Sequence, residues 1–124
     1  MGATTVWERW NSILPDGSIS GTGMNSLNHY AYGSIADWMY RNLCGLNPCE
    51  DAPGYKKAVI CPQPDPRVRF AKMSLDSAAG RYEVHWRYDG DDVRVDVTVP
   101  FDCEAELRLP DGTVHSLTAG SYQF

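Results

Sequence analysis

The chain has 124 residues, 43% of them hydrophobic, which suits one ordinary domain or a small domain plus part of another, and not a disordered segment. A net charge of −5 excludes the basic stripe with which nucleic-acid binders neutralise phosphates. No apolar run approaches the roughly 20 residues of a membrane span, so no membrane partner is expected, and the start lacks the basic, then apolar, pattern of a signal peptide.

Residues 1–47 are rich in aromatics, Gly, Asn and Ser. They open on Gly2-Ala-Thr-Thr-Val-Trp-Glu-Arg-Trp10, where a carboxylate, Glu8, sits between two indoles, Trp7 and Trp10, and beside Arg9. Leu14-Pro-Asp-Gly-Ser-Ile-Ser-Gly-Thr-Gly23 reads as a loop. A polar–aromatic cluster, Met24-Asn-Ser-Leu-Asn-His-Tyr-Ala-Tyr-Gly33, is assigned to the same site as Glu8. A helix is expected from about Asn28 to about Cys44, with Leu27, Tyr30, Ala31, Ile35, Trp38, Met39 and Leu43 on one face and Tyr32, Asp37 and Arg41 largely away from it. Gly45, with Asn47-Pro48 beyond, supplies the stop. Gly33 in mid-helix costs about 1 kcal/mol relative to Ala, so a neighbouring element is expected to approach there.

Residues 55–124 are written as strands, after a connector spanning Leu46-Asn-Pro-Cys-Glu-Asp-Ala-Pro-Gly54. Tyr55–Cys61 is a short run ended by the stiff Pro62-Gln-Pro-Asp-Pro66, and Val68 and Phe70 begin the next. From Arg81 to Tyr88, Tyr82, Val84, Trp86 and Tyr88 alternate strictly with Glu83, His85 and Arg87. Val93, Val95, Val97 and Val99 repeat the pattern after an Asp89-Gly90 turn, and Ala105, Leu107 and Leu109 repeat it again. Pro110-Asp-Gly112 turns the chain into Val114–Leu117, and a last short strand, Tyr122–Phe124, follows. The fold class is therefore mainly β: an antiparallel β-sandwich preceded by a helical segment.

The sandwich offers no evident catalytic constellation. His85 and His115 read as solvated strand histidines, and Glu104, Glu106, Asp89, Asp91 and Asp92 as solvating edges and turns. Cys44, Cys49, Cys61 and Cys103 lack C-x-x-C spacing and read as structural thiols, with a Cys44–Cys49 disulfide open if the protein is exported. No metal site or cofactor is expected. Glu8 differs: an indole offers a flat apolar surface to sugar C–H groups, and burial raises a carboxylate's basicity, which Arg9 would offset. Taken alone, the same residues also fit core anchors around a helix-terminus or salt-bridge carboxylate, and His29 fits a hydrogen-bonded core histidine.

Gly2–Trp10, Met24–Gly33 and Asp37-Trp38 resemble the end of the catalytic domain of bacterial inverting α-L-rhamnosidases. The resemblance continues through Pro53-Gly-Tyr-Lys56, Trp86, Val97-Thr-Val-Pro100, Ala105-Glu-Leu-Arg-Leu-Pro110 and Gly120-Ser-Tyr122, with Asn11 where the family often has Asp. It implies that residues 1–47 are the C-terminal remnant of an (α/α)6 catalytic barrel and residues 48–124 a C-terminal β-sandwich. It further implies that Glu8 is the general base activating water, that His29 contacts rhamnose, and that Trp7 and Trp10 shape the site. The substrate would be a rhamnose-containing glycan or glycoside. The family's general acid lies in an earlier segment, so this chain alone is expected to be inactive, and its unpaired helix is expected to make it a homo-oligomer. The alternatives are a non-catalytic carbohydrate-binding or packing module, and another (α/α)6 glycoside hydrolase.

Overall fold

The computed structural model describes residues 2–124. It contains two compact units, one ending at Asp37 and the other spanning Trp38–Phe124.

The first unit is ordered by hydrogen bonds more than by apolar burial, since its one fully buried side chain among the described residues is Ser12. Its two polar–aromatic stretches lie side by side: Glu8 N–H donates to Ser26 O at 2.8 Å and His29 N–H to Val6 O at 2.8 Å. Thr5 Oγ1 adds a bond to Leu27 O. Within the expected loop, Ile13 and Ile19 form an antiparallel bridge. Gly17 (φ 85°) makes the tight turn between them, and Asp16 Oδ1 accepts from Ser18 N–H at 2.9 Å.

The expected helix is present as one helical run in three geometries: a 3₁₀ turn at Tyr30–Gly33, α1 at Ser34–Trp38 and a π turn at Met39–Leu43. It starts later than Asn28 because His29 is extended (φ −99°, ψ 103°). The close neighbour of Gly33 is not another element but the Tyr30 ring, 3.3 Å from where a Cβ would stand. At the far end Cys44 N–H reaches back five residues to Met39 O at 2.9 Å, and Gly45 (φ 79°) ends the run in the left-handed conformation.

The second unit is a sandwich of two four-stranded sheets, in the orders β1-β2-β6-β7 and β3-β4-β5-β8. Their strands are β1 Leu46–Pro48, β2 Lys57–Ile60, β3 Phe70–Ser77, β4 Gly80–Asp89, β5 Asp92–Val99, β6 Glu104–Arg108, β7 Val114–Leu117 and β8 Gly120–Gln123. Three features differ from the sequence expectation. The assigned connector contains an edge strand, β1, whose Pro48 suits an edge position. The β2 strand begins late because Pro53–Tyr55 forms a 3₁₀ turn. And β2 pairs with β6 in parallel, not antiparallel, with Ala58 opposite Ala105 and Ile60 opposite Leu107. A parallel pair needs a long crossover, which β3, β4 and β5 supply by building the other sheet before the chain returns.

Alternation fills the space between the sheets. Leu46, Ala58, Ile60, Ala105, Leu107 and Leu117 come from one side, and Ala71, Met73, Tyr82, Val84, Trp86, Val95, Val97 and Val99 from the other. Burying aromatics such as Tyr82 and Trp86 contributes about 4–6 kcal/mol each before the cost of ordering them. Both satisfy their polar ends: Trp86 Nε1–H donates to Leu43 O at 2.7 Å and Tyr82 O–H to Tyr55 O at 2.8 Å. All four cysteines are free thiols, so the Cys44–Cys49 alternative is not formed, and burial pushes the Cys44 thiol up to about 11. His85 lies on the outer face beside Asp96, 3.3 Å away. His115 is not the solvated histidine expected: it shares the Leu117 face of β7, half-buried, with its ring 4.6 Å from that of Phe124 and tilted by 41°.

Candidate active site

The site lies within the first unit. Because Glu8 and Ser26 are paired through their backbones, the Glu8 side chain projects beside the chain segment that carries His29. Ser26 N–H donates to Glu8 Oε2 at 3.1 Å, and Glu8 Oε1 lies 3.8 Å from His29 Nε2. The Glu8 side chain is 19% exposed and that of His29 37%, so both remain reachable from solvent. Tyr32 O–H points to Glu8 O at 3.5 Å, and its ring lies 6.4 Å from the imidazole of His29. His29 Nδ1 is buried without a hydrogen-bond partner.

Of the four residues singled out from sequence, Glu8 and His29 thus come together. Trp7 is half-buried beside them in the chain, and Trp10 is 98% exposed. Arg9 turns its guanidinium to Ser20, donating from Nη2 to Ser20 Oγ at 3.1 Å. Sequence reasoning singled out neither Ser26, which meets Glu8 through its backbone, nor Tyr32, which it placed off the helix's apolar face. The grouping of Met24–Gly33 with Glu8 was the signal that pointed to both.

A carboxylate fixed through one oxygen, with the other free toward an imidazole, can accept a proton from water and hold it near a sugar hydroxyl. The profile described as bacterial alpha-L-rhamnosidase 6 hairpin glycosidase domain matches residues 1–43, and that of the bacterial alpha-L-rhamnosidase C-terminal domain matches residues 45–123. The chain belongs to the bacterial α-L-rhamnosidase family. An α-L-rhamnosidase of Alteromonas sp. (strain LOR) is 46% identical over 109 residues, 88% of this chain and 12% of its own length. One of Streptomyces avermitilis is 40% identical over 109 residues, 88% of this chain and 10% of its own. The crystal structure of native α-L-rhamnosidase from Aspergillus terreus superposes with a TM-score of 0.81 at 33% identity, covering 98% of this chain and 14% of that one. That of the Streptomyces avermitilis enzyme complexed with L-rhamnose gives 0.78 at 36% identity, covering 99% and 14%. This family member therefore spans about a tenth of the length of the relatives it matches.

Proposed function

We propose that this chain supplies the general base, Glu8, of an enzyme that hydrolyses terminal α-L-rhamnose with inversion. The observation that carries the reading is the Glu8 carboxylate, braced by Ser26 N–H and 3.8 Å from His29, inside the stretch matched to a glycosidase domain. Glu8 removes a proton from water as the water oxygen attacks the anomeric carbon from the face opposite the leaving group. The leaving oxygen takes its proton from an acid elsewhere in the enzyme, the two carboxyl groups standing roughly 6.5–9.5 Å apart to admit the water. His29 contacts the sugar, and Trp7 and Trp10 line its surroundings. Residues 1–47 are then the end of the catalytic helical barrel and residues 48–124 the sandwich that follows it. The exposure of Tyr30, Ile35, Trp38 and Met39 in this chain supports their burial against further protein, either the rest of the enzyme or, for the isolated chain, a second copy.

Proton NMR of the first sugar released by the full-length enzyme from an aryl α-L-rhamnoside tests this. The β-anomer should appear before mutarotation, and the isolated 124-residue chain should release none. Initial α-anomer, or turnover by the chain alone, contradicts it.

A further inference from the structure

We propose that Asn25 is a positioning residue for the Glu8 carboxylate, acting by pinning the loop whose Ser26 N–H holds Oε2; this rests on the reading of Glu8 as the base. The N–H that Glu8 accepts belongs to the peptide joining Asn25 to Ser26, so the orientation of Asn25 decides where that donor points. The Asn25 side chain is itself anchored. Its Nδ2 donates to Ser20 O at 2.6 Å and also to Thr22 O. Two carbonyls around one terminal atom require that atom to be the amide nitrogen, because an oxygen there would face two acceptors.

Ser26 O is held separately, accepting from Glu8 N–H at 2.8 Å, so Asn25 restrains the other side of that residue. Gly21 and Gly23 interrupt the loop, and nothing lies within 4 Å of where a Cβ on either would stand. The loop is therefore held by hydrogen bonds and not by packing, and Ser20 is their hub. Ser20 N–H donates to Ser12 O at 3.0 Å, its carbonyl accepts from Asn25 at 2.6 Å, and its hydroxyl accepts from Arg9 at 3.1 Å. Arg9 follows Glu8 in the chain. The bonds form a closed circuit, Glu8–Arg9 to Ser20 to Asn25 to Ser26 and back to Glu8, with Asn25 the link that joins its two halves. Cutting that link leaves the Ser26 carbonyl on Glu8 N–H but releases the Asn25–Ser26 peptide that carries the donor, and an ångström of misplacement at a reacting group is enough to slow chemistry by about 100-fold.

The test is a double-mutant cycle in the full-length enzyme with an aryl α-L-rhamnoside. Asn25→Ala and the isosteric Asn25→Asp, which lacks the amide donor, should each lower kcat by about 10–100-fold with KM nearly unchanged. In the Glu8→Gln background, where there is no base to position, the same substitutions should leave the residual kcat unchanged. Wild-type kcat in both Asn25 variants, or an equal fall in both backgrounds, overturns the positioning role, as does failure of both variants to fold. Full activity of Glu8→Gln alone would instead overturn the reading of Glu8 as base.

Discussion

The two carboxylate oxygens of Glu8 meet different surroundings. Oε2 is occupied by Ser26 N–H at 3.1 Å, while Oε1 faces His29 Nε2 across 3.8 Å, beyond hydrogen-bonding range. A sugar hydroxyl entering that gap could bond both groups. The backbone of His29 is anchored by its own N–H on Val6 O at 2.8 Å. Replacing His29 with alanine in the full-length enzyme should raise KM about 10-fold or more, the worth of a hydrogen bond to a charged or strongly polar group, while kcat changes less. A fall in kcat as deep as that of Glu8→Gln, with KM unchanged, would show that His29 acts in the chemical step. At this scale the sequence pointed to side chains that the fold brings together, Glu8 and His29. It was silent on the Ser26 N–H that meets the Glu8 carboxylate, because the direction of a peptide group is not written in residue identity.

Among the elements, the junction at Gly45 is the least tolerant. Its φ of 79° suits glycine, and a Cβ there would stand 2.1 Å from the Cys61 carbonyl carbon and 2.4 Å from Pro62 N, both backbone atoms that cannot swing away. The same junction carries Cys61 N–H to Gly45 O at 2.9 Å and follows Leu43, whose carbonyl takes the Trp86 indole. Gly45→Ala should therefore destabilise the sandwich by about 2–5 kcal/mol, measurable by urea unfolding of this chain. A loss below 0.5 kcal/mol, the scale of an ordinary surface change, would contradict that account. Period-2 alternation made β4, β5 and β6 legible nearly to the residue, because each turns one apolar face to the core. It could not reveal β1, a three-residue edge containing Pro48, nor the parallel β2–β6 pair. Strand direction depends on where the chain re-enters a sheet, and alternation looks the same either way. The 3.6-residue period likewise found the run ending at Leu43 but not its division into 3₁₀, α and π turns. That division follows from local constraints: the extended His29, the Tyr30 ring against Gly33, and the reach from Cys44 to Met39.

At the scale of the molecule, the sandwich is built around an apolar core, and the paired Glu8 and His29 lie in the short first unit. The sheets' outer faces are laced with pairs such as Arg87–Asp96 at 2.7 Å and Arg108–Glu106 at 2.6 Å, exposed contacts that favour solubility over stability. A contrast between residues 1–47 and 55–124 was visible in composition, though the compact units divide at Asp37; the catalytic assignment needed the family resemblance, because one carboxylate between two indoles also fits a packing role. Glu8 is where that assignment is most exposed to failure. The direct measurement is kcat of the full-length Glu8→Gln enzyme on an aryl α-L-rhamnoside, beside its affinity for rhamnose. A positioned general base contributes typically about 10²–10⁴-fold, so kcat should fall by that much while rhamnose still binds. A variant that turns over at the wild-type rate would contradict the assignment.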